Sequence, residues 1–356
     1  MDFITKDKFQ REILNFYGER GRSLPWRSQP LPYYIWISEI MLQQTRVETV
    51  IEYFNRFVKN FPTIEALARA PIEEVLKSWE GLGYYSRARN IHKTANILVA
   101  DYQGQLPRKY QELLQLPGIG PYTAGAISSI AFGKSETAID GNFIRVGSRL
   151  MAYEGSTKNT AGKKIIDEFW RFLLPEQAPG HFNQGIMDLG ATICLPNGMP
   201  LCEECPVAFC CKAHQYGREL DFPKKEVKKK RRMEKKTLFL MRENDYIALE
   251  QRKNKGLLAG LWQFPMVNGH LSLEEGRKWL EKQELPALRI EKSIEYKHIF
   301  SHVEWDMISY LVRLEPWLVM DHEGRSFSWK QEKELEKLTL PTAFRPFREV
   351  VLNGKL

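Results

Sequence analysis

The stretch LPGIGPYTA at residues 116–124 joins two predicted helices through a Gly-x-Gly turn, with Pro121 at the first position of the second helix. Such a turn points backbone N–H groups outward at a helix N-terminus, where the helix dipole and the unpaired donors favour a phosphate. Gly118 and Gly120 are therefore candidate phosphate contacts. The alternative is a tight helix–helix turn that requires glycine for its positive φ, and the glycines alone do not separate these interpretations.

The chain around this turn has a helical pattern from Phe9 to about Tyr216. Apolar residues recur at three- and four-residue spacing, and Pro, Gly and Asp mark the segment ends. Seven apolar residues between positions 37 and 54 form one buried face, which leaves Glu39, Gln43 and Arg46 together on another face. The seven are Ile37, Ile40, Met41, Val47, Val50, Ile51 and Phe54. The pattern predicts further helices at 64–70, 72–80, 86–102, 110–114, 122–132, 142–151, 161–174 and 181–189. We therefore expect residues 1–216 to form an all-helical module.

The pattern changes after a basic segment. Residues 224–236 contain nine basic and two acidic residues and have no apolar stripe, which is typical of a solvated connector. We place the interdomain connector at residues 217–236 and a second domain at residues 237–356. Strand-like runs and one helix then follow at 237–242, 246–251, 272–284 (the helix), 293–300 and 304–314. The second domain is therefore predicted to be α+β.

Length and composition exclude several classes of protein. A chain of 356 residues with 43% hydrophobic and 27% charged residues suits two globular domains rather than a disordered, collagen-like or coiled-coil protein. The sequence has no apolar run of roughly 18 residues and no signal-peptide core, so we expect a soluble, cytoplasmic protein without a membrane partner. The net charge of +8 is weak support for a nucleic-acid partner, because residues 224–236 alone contribute +7 (nine basic minus two acidic residues).

All five cysteines lie between residues 194 and 211. A secreted disulfide-linked fold would connect distant segments, so this cluster indicates a metal site. Four of the cysteines follow the spacing Cys-x7-Cys-x2-Cys-x5-Cys, namely Cys194, Cys202, Cys205 and Cys211. Four thiolates suit an iron–sulfur cluster, and they also suit tetrahedral zinc. Cys210 is left over.

A second short motif, IDGN at residues 139–142, follows the glycine turn by twenty residues. Taken alone, it is more typical of an aspartate that caps a helix. Together, the turn and IDGN resemble the helix-hairpin-helix DNA glycosylase superfamily, and the cysteine spacing is close to the iron–sulfur loop of that superfamily. The resemblance implies that residues 194–211 bind one 4Fe-4S cluster. Zinc remains the alternative, since the first gap has seven residues where the superfamily usually has six.

Other segments resemble one branch of the superfamily, the MutY family of adenine DNA glycosylases. They are LPWR at 24–27, WISEIMLQQT at 36–45, GLGYYSR at 81–87 and DLGA at 188–191. The resemblance implies a monomeric, nucleoid-associated base excision repair enzyme whose substrate is double-stranded DNA with adenine opposite 8-oxoguanine or guanine. Related bifunctional enzymes carry a Schiff-base lysine at the position of Tyr122, so we expect monofunctional hydrolysis.

Cleavage of the N-glycosidic bond to adenine requires an acid for the leaving base and a carboxylate for the sugar cation. The apolar segment around Glu39 would raise its pKa and keep it protonated, as an acid requires. Asp140 at a helix N-terminus would instead be held ionised by the dipole and by N–H donors. The resemblance assigns these same two roles and places Tyr122 and Asn142 beside them.

The resemblance also implies contacts to DNA. Three residues match positions that enclose or hydrogen-bond the extruded adenine, namely Trp26, Arg27 and Asp188. Three others lie in the segments that contact or intercalate into the duplex, namely Gln44, Thr45 and Tyr84. Taken alone, Arg27 suits a surface ion pair equally well, and Tyr84 suits a buried aromatic pair.

The second domain resembles the Nudix fold of MutT-type pyrophosphatases. Residues 269–285 follow the register of the Nudix box, but Ala287 and Leu288 stand where two metal-binding carboxylates are needed. We therefore expect recognition of 8-oxoguanine rather than hydrolysis. The resemblance assigns this recognition to Ser301 and His302, for which an ordinary hairpin turn is the alternative.

Two rival functions remain open from the sequence. One is a nucleotide pyrophosphatase on a DNA-binding tether, which the missing Nudix carboxylates argue against. The other is a mismatch sensor that binds without catalysis. The presence of both Glu39 and Asp140 argues against the sensor, because binding alone requires neither carboxylate.

Overall fold

The computed structural model describes residues 3–224, 230–285, 287–315 and 327–353. These residues form two compact units. The first contains the described residues up to Ala70 and from Ser86 to Lys224, and the second contains Pro71–Tyr85 and the described residues from 230 onward. Within the described residues, we find no helix that is both long enough and apolar enough to cross a membrane.

The chain up to Gln215 is helical, as the apolar spacing predicts. Its helices are α1 (Phe3–Arg20), α2 (Pro25–Ser28), α3 (Pro32–Leu42), α4 (Val47–Asn60), α5 (Ile64–Arg69), α6 (Ile72–Ser78), α7 (Ser86–Asp101), α8 (Tyr110–Leu113), α9 (Pro121–Ala126), α10 (Gly141–Met151), α11 (Thr160–Leu173), α12 (Pro179–Thr192) and α13 (Lys212–Gln215). Helix α9 continues as a π-helix over Ile127–Ala131. Helix α6 belongs to the second unit, and the other helices belong to the first.

An aromatic core fixes the helices that carry the candidate site. The Trp170 ring of α11 lies 4.9 Å from the Phe143 ring of α10 and 6.3 Å from the Phe182 ring of α12. All three side chains are fully buried, and Trp170 Nε1 donates to the Phe143 carbonyl at 3.0 Å. This packing holds the start of α10, where Asp140 lies, against α11 and α12.

The apolar face expected over residues 37–54 is divided between two helices. Helix α3 ends at Leu42 and α4 begins at Val47, and Gln44 between them has a φ of +59°. The expectation that Glu39 and Gln43 share a separate polar face is wrong for Glu39, whose side chain is only 4% exposed. Nearly all of α3 is buried, so its polar residue lies inside the module rather than on its surface.

The second unit contains a mixed β-sheet, which confirms the predicted α+β domain. The elements are β1 (Arg232–Glu243), β2 (Tyr246–Gln251), β3 (Trp262–Gln263), β4 (Met266–Asn268), α14 (Leu273–Lys282), β5 (Ala287–Ile299), β6 (Val303–Leu314), β7 (Ser328–Gln331) and α15 (Arg345–Leu352). The strand order is β3-β2-β1-β6-β5, with β4 paired to β1 and β7 paired to β2. Strands β1 and β6 are parallel, whereas β5 and β6 form an antiparallel hairpin.

Residues 232–236, which the sequence assigns to the connector, form the first part of β1. They pair with β6 from Val303 onward, because a backbone ladder does not require apolar side chains. The ammonium of Lys236 lies 2.8 Å from Glu234 and donates to Asn268 at 2.7 Å, so its charge is compensated where the side chain is buried.

The segment 71–85 contacts the C-terminal part of the second unit. Lys77 Nζ donates to the Leu338 carbonyl at 3.2 Å, and Glu80 Oε1 accepts from the Leu340 amide at 3.2 Å. The same oxygen lies 3.8 Å from Arg348 in α15. The loop that contains Tyr84 therefore follows helix α6, which is hydrogen-bonded to other parts of the second unit.

Candidate active site

Two side chains from different helices meet inside the first unit. The Tyr122 hydroxyl of α9 donates a hydrogen bond to Oε2 of Glu39 on α3. Burial raises the pKa of Glu39 to about 7, the bond from Tyr122 acts to lower it, and nearby Asp140 acts to raise it further. A carboxyl group with this pKa is partly protonated at neutral pH, as general-acid catalysis requires.

Asp140 is the N-cap residue of α10. Its Oδ1 accepts from the amides of Asn142 at 2.8 Å and Phe143 at 2.9 Å, and its Oδ2 accepts from Asn142 Nδ2 at 2.6 Å. These bonds fix the orientation of the carboxyl group. The IDGN motif thus caps a helix and also places a carboxyl group close enough to Glu39 to raise the pKa of Glu39.

The expected separation of the two pKa values does not follow from the structure. Burial is the largest influence on Asp140 and raises its pKa, while the bonds from Phe143 and Asn142 and the charge of Arg145 act to lower it. The helix N-terminus and its N–H donors act on Asp140 in the expected direction, but burial outweighs them and raises its pKa above the ordinary value. The site is more enclosed than the sequence suggests, and the donors only partly offset desolvation.

Arg145 extends the hydrogen bonds around Asp140 toward the cysteine segment. Its Nη2 donates to Asn142 Oδ1 at 2.8 Å and to the Gly190 carbonyl at 2.7 Å, and its Nε donates to the Cys194 carbonyl at 2.8 Å. A Cβ atom at Gly190 would lie 2.6 Å from the Cβ of Asn142. The close approach of α12 to α10 therefore requires glycine at this position.

Asp188 holds two arginines rather than presenting a free carboxylate. Arg27 forms a bidentate pair with it, at 2.6 and 3.1 Å. Arg22 donates to it through Nε at 2.7 Å and through its amide at 3.0 Å. Burial acts to raise the pKa of Asp188, but the two arginines hold it below its usual range. With four donors on one carboxylate, Asp188 orients Arg27, whose charge also acts on Glu39.

Trp26, the other residue expected to enclose a base, is buried in helix α2. Its ring meets the edge of Phe54 at a centroid distance of 5.3 Å. The side chain is only 2% exposed, so in this conformation it packs inside the first unit rather than offering an open stacking surface.

Both predicted intercalating residues have left-handed backbone conformations. Gln44 is exposed at φ +59°, and Tyr84 is 45% exposed at φ +48°. Side chains other than glycine adopt this region rarely, and the strain is typical of functional turns. Thr45 is half-buried, and its hydroxyl accepts from Arg87. The alternative that Tyr84 and Tyr85 form a buried aromatic pair is therefore excluded, because only Tyr85 is buried.

The glycine turn separates α8 from α9. Gly118 has a φ of +79°, and a Cβ atom there would lie 2.7 Å from the Cβ of Asn90, so this position requires glycine twice over. Gly120 is the N-cap of α9, and space remains open at its Cα. The backbone conformation and the close contact with Asn90 explain why residue 118 is glycine. At Gly120, the open space is compatible with the predicted phosphate contact.

Four of the five cysteines line one small cavity, together with Arg149, His214 and Glu219. They are Cys194, Cys202, Cys205 and Cys211. Burial and the other sulfurs raise the pKa of Cys202 to about 11 and that of Cys205 to about 12. Cys210 borders a different cavity with Phe169 and Phe172. The structure therefore separates Cys210 from the other four.

The spacing of the sulfurs bears on the kind of metal. Within the described residues, the ligand group with atoms all within 4.8 Å of one another is Cys202, His214 and Glu219, and no three cysteine sulfurs meet this limit. In a tetrahedral zinc site with Zn–S bonds of about 2.3 Å, sulfurs lie about 3.8 Å apart. The four cysteines thus surround a wider space than one zinc ion requires.

The candidate reader of 8-oxoguanine lies in the turn between β5 and β6. Ser301 and His302 are both exposed, and Ser301 Oγ lies 3.2 Å from His302 Nδ1. In the Nudix box, Glu275 forms a capping box with Ser272 at the start of α14, so its carboxylate is occupied in holding the helix. Ala287 and Leu288 begin β5 and provide no metal ligands.

The structure brings Glu39, Tyr122, Asp140 and Asn142 together in the first unit, with Arg27 beside them. It places Tyr84, Ser301 and His302 in the second unit. Sequence reasoning missed several buried or half-buried residues that support these groups, namely Arg22, Arg87, Arg145, Arg149, His214 and Glu219. A local signal existed for Arg22, which is separated from the LPWR segment by one residue.

Comparisons with known proteins agree with the fold of both domains. The model of the HhH-GPD superfamily of base excision DNA repair proteins matches residues 37–172, and a NUDIX domain model matches residues 237–349. Adenine DNA glycosylase from Buchnera aphidicola subsp. Schizaphis graminum is 35% identical over 96% of this chain and 98% of its own length. Adenine DNA glycosylase from Homo sapiens is 33% identical over 97% of this chain and 74% of its own length. The solved structure of a thermostable thymine-DNA glycosylase is 32% identical, with a TM-score of 0.55, and covers 60% of this chain and 98% of that chain.

Proposed function

Because this chain belongs to the adenine DNA glycosylase family of the HhH-GPD superfamily, we propose that its substrate is double-stranded DNA with adenine opposite 8-oxoguanine or guanine. The chain is a DNA glycosylase that acts on adenine in base excision repair. The observation that carries the proposed mechanism is the buried arrangement of Glu39, Tyr122 and Asp140, which suits acid-assisted loss of a base.

The proposed reaction begins with proton transfer from Glu39 to N7 of adenine. As the N-glycosidic bond breaks, its electron pair leaves with the base, and positive charge develops on the sugar. The Asp140 carboxylate, held by Asn142 and Phe143, stabilises this charge or traps it covalently. The Glu39 carboxylate then takes a proton from the attacking water, which completes hydrolysis.

Tyr122 supports monofunctional hydrolysis. Its hydroxyl is bound to Glu39 and provides no amine that could form a Schiff base with the sugar. We therefore propose that the product is an intact strand with an abasic site.

Access to adenine requires the nucleotide to leave the base stack. Gln44, with its neighbour Thr45, and Tyr84 are proposed to enter the duplex from two strained, exposed turns. The guanidinium of Arg27, oriented by Asp188, is proposed to bind the extruded base against Trp26. Gly118 and Gly120 are proposed to contact the DNA backbone.

We propose that Cys194, Cys202, Cys205 and Cys211 bind a 4Fe-4S cluster. Two observations support the fit: the four thiols line one cavity, and their sulfurs are too far apart for a single zinc ion. Such a cluster would link four points of the 194–211 segment. This segment is already hydrogen-bonded to Arg149 of α10 through Cys194 and Leu195. The thiols would be deprotonated on binding, which would offset their raised pKa values.

We propose that the first unit carries catalysis and that the second unit, whose strand β1 begins at Arg232 inside the expected connector 217–236, recognises 8-oxoguanine. Ser301 and His302 are proposed to contact the damaged base, because both are exposed at a hairpin end. We place the enzyme with its DNA substrate at the nucleoid, in the cytoplasm, as a monomer.

A single-turnover assay tests this function. Duplexes contain adenine opposite 8-oxoguanine, guanine or thymine, and each reaction is analysed with and without alkali. We expect adenine release opposite 8-oxoguanine and guanine, with strand breaks only after alkali. Strand breaks without alkali would contradict monofunctional hydrolysis, and equal rates opposite thymine would contradict the proposed mispair.

A further inference from the structure

The turn that carries Gln44 is held by one buried side chain from helix α7. Arg87 is 6% exposed, and its guanidinium donates four hydrogen bonds to this region. The acceptors are the carbonyl oxygens of Ile40 at 2.9 Å, Met41 at 2.8 Å and Gln43 at 2.7 Å, and the hydroxyl oxygen of Thr45 at 3.2 Å. A single guanidinium thus contacts the turn on both sides of Gln44.

The turn requires such a support for two reasons. The last carbonyls of a helix have no intrahelical partners, and Arg87 satisfies those at the end of α3. In addition, Gln44 has a φ of +59°, which side chains other than glycine adopt only where the surroundings impose it. Nη1 meets the three carbonyls, with at least one of its two hydrogens shared, and Nη2 meets the Thr45 hydroxyl. A lysine ammonium has no second branch that could reach Thr45 while it binds the carbonyls.

The same turn is linked to the catalytic helices. Gln43 Nε2 donates to Thr123 Oγ1 at 3.2 Å, and Thr123 follows Tyr122 directly in α9. Glu39 lies in the last turns of α3, one residue before the first carbonyl that Arg87 binds. Arg87 therefore contacts the segment that connects the proton donor to the residue proposed to enter DNA.

We propose that Arg87 is a positioning residue for base extrusion, which holds turn 43–45 in the conformation that presents Gln44 to the duplex. The inference rests on the proposed function, since it requires Gln44 to enter DNA. The guanidinium acts through the turn rather than on a phosphate, because it is buried and its donors are directed at protein acceptors.

The test measures extrusion and excision separately in the full-length protein. Extrusion is followed by the fluorescence of 2-aminopurine, placed at the target position opposite 8-oxoguanine on a 2′-fluoro sugar that resists excision. Excision is followed in single turnover on the natural adenine duplex. The variants are Arg87→Lys, Arg87→Met, Gln44→Ala and the double variant Arg87→Lys/Gln44→Ala. Lys93→Met is the control, because Lys93 is exposed on the same helix and its loss removes the same charge.

We expect Arg87→Lys to lower the extruded fraction and the excision rate about tenfold, as the loss of a charged hydrogen-bond network typically does. Lys93→Met should leave both unchanged. In the Gln44→Ala background, Arg87→Lys should have less than about a twofold further effect, because its action passes through Gln44. Arg87→Met should behave like Arg87→Lys or fail to fold, and the lysine variant decides the question in either case.

Two results would overturn the inference. One is wild-type extrusion by Arg87→Lys, and the other is a fully additive loss in the double variant, which would show that Arg87 acts on the fold in general. Failure of the proposed function gives a different result, because the wild-type protein and Lys93→Met would then also release no adenine from any duplex.

Discussion

The hydroxyl of Tyr122 donates a hydrogen bond to the buried carboxyl group of Glu39, and this bond opposes the effect of burial on the same group. Burial favours the protonated carboxyl, whereas a donor at its oxygen favours the carboxylate. The balance leaves the pKa of Glu39 at about 7, so that a large fraction of the enzyme carries the catalytic proton at physiological pH.

The first prediction concerns the pH dependence of excision. The single-turnover rate should fall as pH rises through about 7, because Glu39 loses its proton there. Tyr122→Phe removes the bond that lowers this pKa, so the basic limb of the profile should move to higher pH. Tyr102→Phe in the same module provides the control. A basic limb that stays in place would mean that Glu39 is not the titrating acid.

The second prediction separates catalysis from binding. Glu39→Gln and Asp140→Asn should each reduce excision by roughly 10² to 10⁴, the usual cost of losing acid–base catalysis. Asparagine is also a good N-cap residue, so Asp140→Asn should preserve the start of α10. Affinity for the mismatched duplex, measured by anisotropy, should stay within a few-fold of wild type. Near-normal excision by either variant would contradict the mechanism.

The third prediction is a change in stability caused by Glu39. Its pKa is about 7 in the folded protein, against an ordinary value of 4.5 when the chain is unfolded. The folded state therefore holds the proton more tightly, and the free energy of unfolding should decrease as pH rises from 4.5 to about 7. The loss should total about 3 kcal/mol. Glu39→Gln should remove it and make the protein more stable than wild type at pH 8, as denaturant titrations at pH 5 and pH 8 would show. An equal pH dependence in both proteins would contradict the assignment.

The sequence predicts correctly those features that depend on residues close together in the chain. The IDGN motif predicts a helix start at Asp140, because a cap and its amide partners lie within three residues. Alternating apolar residues likewise predict β2 and β6 closely. The pKa of Asp140 was not predictable in this way, since it depends on burial by helices that are distant in sequence.

Arginines that bind buried acceptors are the main residues that the sequence did not reveal. Arg22 meets Asp188 across 166 positions, and Arg87 meets Ile40 across 47. An arginine in an amphipathic helix is normally read as exposed, because its charge is costly to bury without partners. Such partners appear only when the helices are packed, so no periodicity or short motif could indicate these contacts.

The fourth prediction uses adjacent cysteines as a matched pair. Cys211 lines the cavity shared with Cys194, Cys202 and Cys205, whereas Cys210 borders another cavity. Cys211→Ser should therefore lower the iron content, the broad absorption near about 400 nm expected of thiolate-bound iron–sulfur centres, and the melting temperature. Cys210→Ser should leave all three close to wild type. Stoichiometric zinc without iron in the wild-type protein would contradict the proposed cluster.

The last prediction concerns how the second domain distinguishes damaged from normal guanine. Ser301 and His302 are exposed together at the end of the β5–β6 hairpin, where a hydroxyl and an imidazole can meet the N7–H donor that oxidation creates. Loss of a contact to a base edge costs about 1–3 kcal/mol, which corresponds to roughly ten- to a hundredfold. The double variant Ser301→Ala/His302→Ala should therefore lower the ratio of excision rates between 8-oxoguanine and guanine duplexes by that factor at one fixed salt concentration.

The ratio is the informative quantity, because absolute affinity also includes sequence-independent attraction of basic residues to phosphates. Lys297→Ala provides the control, since Lys297 is exposed on the preceding strand. If Lys297 contacts a phosphate, its loss weakens binding to both duplexes alike and leaves the ratio unchanged. If the double variant also leaves the ratio unchanged, Ser301 and His302 form only a turn. Discrimination would then have to come from residues such as Thr45 and Tyr84.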